Sequence, residues 1–240
     1  MNYNLEPFKN GLKALDLTLS ENQIQQFISY YELLIEWNKV MNLTGITEFD
    51  EVIEKHFLDS LCLNKVMDLN KKMSLLDLGT GAGFPGIPLK IAFPELEIVL
   101  MDSLNKRVKF LDEVINVLGL KGITAVHGRA EEMARKKEYR ETFDLCVSRA
   151  VANLSSLAEY CIPFIKLGGT FISYKSADAD AEIEDARHAI FLLGGKQEDV
   201  MKYKLPGSDM GRSLVQIKKV QGTPKTYPRK AGTPSKSPLH

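Results

Sequence analysis

Apolar positions change rhythm near residue 70. Before that point they recur at helical spacing: Ile24, Phe27, Ile28, Tyr31 and Ile35 share one face behind a Ser20/Gln23 capping box, and Val52, Ile53, His56, Phe57, Ser60 and Leu61 outline another. Between them Trp37–Thr47 reads as a helix end followed by a loop. From about 74 onward short apolar runs alternate with helical stretches, which predicts strands at 74–79, 97–102, 123–127, 143–148 and 169–174. Val108, Leu111, Ile115 and Leu118 line a helix that stops at Gly119. Leu154, Leu157, Ala158, Cys161 and Ile165 line another that runs to Gly168-Gly169, and a third spans about 178–193 before Gly194-Gly195. Segments near 199–205 and 213–220 read as a closing hairpin around Pro206-Gly207. Strands alternating with helices predict an α/β chain whose parallel sheet is covered on both faces. The expected organisation is a helical extension over 1–70, a main domain over 71–221 and a separate tail over 222–240.

The chain of 240 residues, 44% hydrophobic, is long enough to bury a substantial core. Its net charge of zero conceals an asymmetry, because residues 201–240 hold nine Lys and Arg against the single acid Asp209 and carry +8, balanced by −8 upstream. Such a distribution suggests a polyanionic partner near the C-terminus. From Thr223 to Pro238 prolines alternate with cations, which favours an extended segment and rules out a helix; the alternative is a solvated, mobile tail. Cys62, Cys146 and Cys161 are odd in number and set among apolar neighbours, so they read as small buried hydrophobes rather than a disulfide framework or a metal site. No apolar stretch reaches membrane-spanning length and the start lacks the order of a signal peptide, so a cytoplasmic location is expected.

Chemistry concentrates at Leu75–Gly86, where a hydrophobic strand breaks into glycines and then a helix start. Gly81, Gly83 and Gly86 have the spacing of a nucleotide-cofactor loop, with helix N–H groups expected to face the crevice. Asp77 would repel a pyrophosphate but suits a cationic, amino-bearing ligand such as S-adenosylmethionine. Asp102 ends the second strand, where an acid accepts hydrogen bonds from ribose hydroxyls. The order of elements resembles the class I methyltransferase fold, a Rossmann-like mixed seven-stranded sheet with one antiparallel strand. Its ligand lies across the carboxyl ends of the strands, which makes Gly79, Asp102, His127–Glu131 and Ser148-Arg149-Ala150 the candidates. Ala130 and Glu131 would reach an adenine edge through a backbone N–H or the carboxylate; alternatively Glu131 is a first-turn acid favoured by its helix dipole. Arg149 would bind cofactor or phosphate, or close the sheet edge with a salt bridge. There is no Asn/Asp-Pro-Pro-aromatic run and no Pro-Cys pair, and Cys146 lies within a strand. Without a covalent nucleophile or an obvious base, the acceptor would already be nucleophilic, and guanine N7 meets that condition.

Beyond the glycine loop with Phe84-Pro85-Gly86, the chain carries Trp37-Asn38, Asn42-Leu43-Thr44, His56-Phe57-Leu58-Asp59-Ser60-Leu61, Asp102–Arg107, Ser148-Arg149-Ala150 and Tyr227-Pro228-Arg229-Lys230. On these residues it resembles, over nearly its full length, the ribosomal small-subunit methyltransferase G family, also called glucose-inhibited division protein B. The resemblance implies N7-methylation of one guanine in a 16S rRNA loop near the decoding site, with S-adenosylmethionine as cofactor and the small ribosomal subunit or its RNA as partner. It also implies low-level streptomycin resistance on loss of activity, and cofactor contacts at Gly79, Phe84, Ala130, Glu131 and Arg149. Gly81 and Asp102 join these from the loop and strand positions. Lys175, Arg229 and Lys230 are the expected holders of flanking phosphates, with a solvated lysine the alternative for Lys175. His56 and Asp59 share a helical face, but N7 attack needs no base, so His56 is expected to be a packing element; the alternatives are that this helix covers the cofactor crevice or presents polar groups to RNA. A methyltransferase of small molecules or proteins, and a non-catalytic RNA-binding protein, are the competing readings; neither a metal nor a membrane is expected.

Overall fold

The computed structural model describes residues 3–149 and 152–239. The apolar runs pair as a seven-stranded sheet in the order β3-β2-β1-β4-β5-β7-β6. Its members are β1 (Ser74–Leu78), β2 (Glu97–Asp102), β3 (Ile123–His127), β4 (Phe143–Arg149), β5 (Ile165–Ser176), β6 (Gly195–Lys204) and β7 (Gly211–Lys219). The first five run parallel, and β7 lies antiparallel between β5 and β6, closing the hairpin that the Pro206-Gly207 turn announces. Register sets Leu78 against Met101 and Asp102 against His127, so the carboxyl ends of β1, β2 and β3 open on one edge. On that edge the buried Ser148 hydroxyl donates to the Leu78 carbonyl at 2.8 Å, tying β4 to the point where β1 ends.

The N-terminal helices are α1 (Glu6–Ala14), α2 (Glu21–Met41), with the Ser20/Gln23 capping box formed, α3 (Phe49–Val52) and α4 (Asp59–Leu61). A wide π-helical turn, Ile53–Leu58, joins the last two, the kind of local widening often found at functional sites. Phe57 is buried among Phe27, Tyr30 and Phe84 with ring centroids 4.9, 5.5 and 6.2 Å away. That aromatic contact and the cluster joining Phe8, Leu34 and Leu61 to Leu75, Leu100 and Val147 make one core of the helices and one face of the sheet. The remaining helices are α5 (Gly86–Ala92), α6 (Asn105–Val117), α7 (Ala130–Met133), α8 (Leu154–Cys161), α9 (Asp180–Leu192) and α10 (Thr233–Lys236).

Two expectations are corrected here. Ile165 opens β5 instead of closing a helix: α8 stops at Cys161, a short 3-10 turn carries Ile162–Phe164, and Pro163 has no N–H to continue the α-helical ladder. The tail is neither wholly extended nor free of helix, since 223–239 folds back on the domain and ends in α10, where Pro234 occupies a first-turn position that needs no N–H. The basic asymmetry is largely internal too. Lys202, Lys204, Arg212, Lys219 and Arg229 pair with Asp180, Asp209, Asp59, Glu141 and Glu159, whereas Lys225, Lys230 and Lys236 are exposed.

Candidate cofactor and substrate cleft

The glycine loop leaves β1 through residues that need left-handed backbone: φ is 68° at Gly79, 62° at Gly81 and 98° at Gly83. Most of its N–H groups are engaged within the protein. Gly79 and Thr80 donate to the Met101 carbonyl, Gly83 and Phe84 to that of Thr80, and Gly81 to Asp102 Oδ2 at 3.0 Å. Gly86, the first residue of α5, donates to Asp77 Oδ2 at 2.8 Å, and the Thr80 hydroxyl donates to the same oxygen at 2.6 Å. Asp77 therefore holds the loop from beneath, fully buried, instead of facing the ligand directly, and the start of α5 is capped rather than open. A loop with most of its donors engaged is a poor phosphate cradle and suits a ligand that brings its own donors.

Two cavities meet at Gly79. The smaller, about 220 Å3, lies over the ends of β1, β2 and β3 and is bounded by Gly79, Asp102, Ala130 and Glu131. Asp102 is buried and accepts from Leu104 N–H at 2.9 Å and Arg107 at 3.3 Å besides Gly81; of roughly four acceptor positions on a carboxylate, few are left for ribose hydroxyls. Glu131 accepts from the Gly232 N–H at 2.8 Å, so one of its oxygens holds the tail.

The larger cavity, about 660 Å3, is walled by Thr44, His56, Phe84, Arg149, Lys175 and Arg212, among others. Phe84 stacks on His56 at 4.4 Å, and the Arg149 guanidinium lies over the same ring at 5.1 Å. Arg149 donates to Asp59 Oδ2 at 2.9 Å, to the Lys55 carbonyl at 3.2 Å and to His56 Nδ1 at 3.2 Å. Both readings of Arg149 thus hold in the geometry, for it faces the cleft while forming a salt bridge. His56 Nδ1 lies 3.2 Å from both the Arg149 guanidinium and the Lys55 carbonyl, and Nε2 lies 2.9 Å from Thr44 Oγ1, so both ring nitrogens are engaged. Thr44 Oγ1 also accepts from the Ile46 N–H at 3.0 Å and lies on the wall of the cleft.

Of the expected phosphate holders, Lys175 lines the larger cavity but gives its ammonium to the Ala152 carbonyl and Glu182 at 2.9 and 2.6 Å. Arg229 is bound to Glu159, and Lys230 is exposed. Ala150 lies outside the described residues. Sequence reading missed Lys55, Arg107 and Arg212 as cleft residues; Arg107 stands in the quoted Asp102–Arg107 run, but nothing local marks Arg212 on β7. Cys62, Cys146 and Cys161 are free and buried, and burial pushes the Cys62 thiol up to about 12.

Burial raises the Asp77 carboxyl to about 7, against an ordinary 3.8, despite its hydrogen bonds. Burial, helped by the Arg149 charge, lowers the His56 imidazole to about 3 from 6.5. Asp77 binds its proton more tightly folded than unfolded, so its contribution to stability is full below pH 3.8 and is lost as pH rises through 7. His56 binds its proton less tightly when folded, so its contribution is absent near pH 3 and fully regained above 6.5. The slopes oppose each other. Asp77→Asn keeps an acceptor for Gly86 and removes one of them, so its urea-unfolding stability rises from pH 4 to 6.5 more steeply than that of the unaltered chain; parallel curves would contradict the assignment.

The buried Asp77 Oδ1 has no hydrogen-bond partner, a Cβ at Gly81 would meet nothing within 4 Å, and the cleft continues on both sides of Gly79. A nucleoside carrying an amino-bearing tail fits that site, with room on either side of Gly79 and open space over Gly81. Residues 23–211 match the model of rRNA small subunit methyltransferase G. The chain belongs to this family. Family members named ribosomal RNA small subunit methyltransferase G include that of Lachnoclostridium phytofermentans, 59% identical over 97% of this chain and 96% of the relative. That of Desulforamulus reducens is 54% identical over 96% of each. Solved structures share the family's fold at low identity. TrmN from Thermus thermophilus has a TM-score of 0.52 at 14% identity, covering 70% of this chain and 53% of its own. The Methanococcus jannaschii fibrillarin pre-rRNA processing protein has 0.52 at 17%, covering 65% and 70%. The seven-stranded methyltransferase sheet is thus established, and S-adenosylmethionine is the cofactor of the cleft. Among the described residues no helix is long and apolar enough to cross a membrane, and no group of three or more His, Cys, Asp or Glu is placed to hold a metal.

Proposed function

We infer that the chain methylates N7 of a guanine in 16S rRNA, in the loop near the decoding site, within the bacterial cytoplasm where the small subunit resides. The observation that carries this reading is a cationic cleft without an available base. His56 has both ring nitrogens engaged and a lowered pKa, and Asp59 is held by Arg149 and the Tyr203 hydroxyl at 2.9 and 3.3 Å. An acceptor that must lose a proton before attack finds nothing to take it, whereas guanine N7 presents a lone pair. S-adenosylmethionine, when bound, supplies an electrophilic sulfonium methyl. Gly79, Gly81 and Phe84 line its binding region, Ala130 and Glu131 border the nucleoside end, and Arg149 fixes the wall between Phe84 and the helix carrying His56. Alignment of two reactants in such a cleft contributes up to roughly 7–11 kcal/mol. Arg107 and Arg212 beside the cleft, with exposed Lys230, supply charge for RNA phosphates. In an A-form helix the N7 edge faces a deep, narrow groove, so the target guanine must come from a loop or leave its stack.

Tritiated S-adenosylmethionine and small subunits from a strain lacking the modification test this reading. Label entering 16S rRNA supports it, and label entering proteins or small molecules instead of the RNA would overturn it. The Thr44 hydroxyl, on the wall of the same cleft beside His56, is assigned a hydrogen bond to the guanine edge that carries the reacting N7. Thr44→Val lowers kcat by roughly fivefold, the scale of one hydrogen bond of about 1 kcal/mol, while Thr44→Ser keeps it. Equal kcat values for the Val and Ser variants would remove the hydroxyl from the reaction.

A further inference from the structure

We propose that the C-terminal segment forms a wall of the adenosine end of the cofactor site, with Gly232 and Ser235 as cofactor-contacting residues; this rests on the cofactor assignment made above. Arg229, expected from the sequence to hold a flanking phosphate, is engaged as an anchor. The Glu159 side chain is fully buried on α8 and receives the Arg229 guanidinium through Nη2 at 2.7 Å and Nε at 3.0 Å, together with the Arg229 backbone N–H at 2.6 Å. Arg140 donates to the carbonyls of Thr223 and Tyr227 at 2.8 and 3.0 Å. Beyond these anchors the chain turns at Gly232, with φ of 81°, and its N–H reaches Glu131. The buried Ser156 hydroxyl donates to the Pro234 carbonyl at 2.7 Å, pinning the next residues down.

The result is a strap whose Gly232 and Ser235 line the same cavity of about 220 Å3 as Gly79, Asp102 and Ala130. Tyr160 lines it as well, and its hydroxyl, pushed up by burial, stands against Ser235. Leu78 and Met101 supply apolar surface on the sheet side. A flat aromatic base with a polar edge fits between an apolar floor and a backbone-rich wall of this kind. The strap also fixes Glu131, since the same Gly232 N–H holds its carboxylate. Cofactor affinity therefore depends on residues remote in sequence from the glycine loop, and the proline-rich tail works in cofactor binding.

Calorimetry on the full chain with S-adenosylhomocysteine, and with adenosine as a shorter probe, tests this. Ser235→Phe fills the cavity at the cost of the bond from Ser235 Oγ to the Gly232 carbonyl at 3.1 Å, while the anchors at Arg229, Arg140 and Ser156 stay in place. It is expected to weaken both probes by about tenfold or more, with an unchanged unfolding midpoint. In turnover, KM for S-adenosylmethionine rises while kcat and KM for the RNA substrate stay. Arg229→Ala, which frees the strap, weakens the same probes if the protein remains folded. A folded Ser235→Phe protein that binds within about twofold of the unaltered chain overturns the strap's role. Failure of the unaltered chain to bind S-adenosylhomocysteine would instead overturn the cofactor assignment beneath it.

Discussion

Arg149→Ala is expected to cost the protein both stability and turnover. The Asp59 side chain is 4% exposed, and without Arg149 it keeps only the Tyr203 hydroxyl at 3.3 Å and Arg212 at 3.8 Å. Leaving a buried charge so poorly compensated costs about 3–5 kcal/mol. Turnover falls further, by roughly 100-fold in the folded fraction, because the guanidinium that spans Lys55, His56 and Asp59 also positions Phe84 at the cleft. Arg149→Lys keeps a charge but not the planar fork, so it rescues neither property fully. The double variant Arg149→Met/Asp59→Leu separates the effects, since a buried ion pair replaced by apolar residues of similar size is often neutral or stabilising. It should regain most of the unfolding midpoint while remaining inactive, as urea unfolding and labelled methyl transfer will show; recovery of transfer would reduce Arg149 to a structural part.

Gly83→Ala is expected to unsettle the loop from within. At φ 98° a side chain is strained whatever the space, at roughly 1–2 kcal/mol. Its Cβ would press on the Ile87 side chain and approach the Tyr30 hydroxyl to 2.8 Å, adding about 1–3 kcal/mol of overpacking. Tyr30 is fully buried and donates to the Ala82 carbonyl, so the strain reaches the turn that lines the cleft. For a chain of this size the thermal midpoint drops by roughly 5–20 °C, and cofactor binding weakens with it. Gly207→Ala is the control. It has a φ of 86° but nothing within 4 Å of the added carbon, and it sits in the distant β6–β7 turn. Calorimetric melting should show only the conformational part there, with cofactor affinity unchanged; equal losses at both positions would refute the packing argument.

What was legible in the sequence was local. Leu75–Gly86 carries strand, turn and helix start within one continuous run, and Gly79, Gly81 and Gly83 sit where the backbone is left-handed. Ser20 and Gln23 formed the cap their spacing promised. The misses come from contacts between distant segments. Nothing around Arg229 announces that its partner is Glu159, seventy positions earlier on a buried helix face, and composition alone made that arginine look free for RNA. Asp77 was read by its charge toward a ligand, whereas its immediate work is to hold Thr80 and Gly86. Thr44 and Arg212 reach the cleft from opposite ends of the chain, which periodicity does not reveal.

The most direct measurement is chemical cleavage specific for N7-methylguanine, applied to 16S rRNA from small subunits incubated with the protein and S-adenosylmethionine. A single new cleavage in the loop near the decoding site, lost with Arg149→Ala, is the expected result. Methyl label in the RNA without any such cleavage would place the methyl on another atom and contradict attack by an unassisted ring nitrogen.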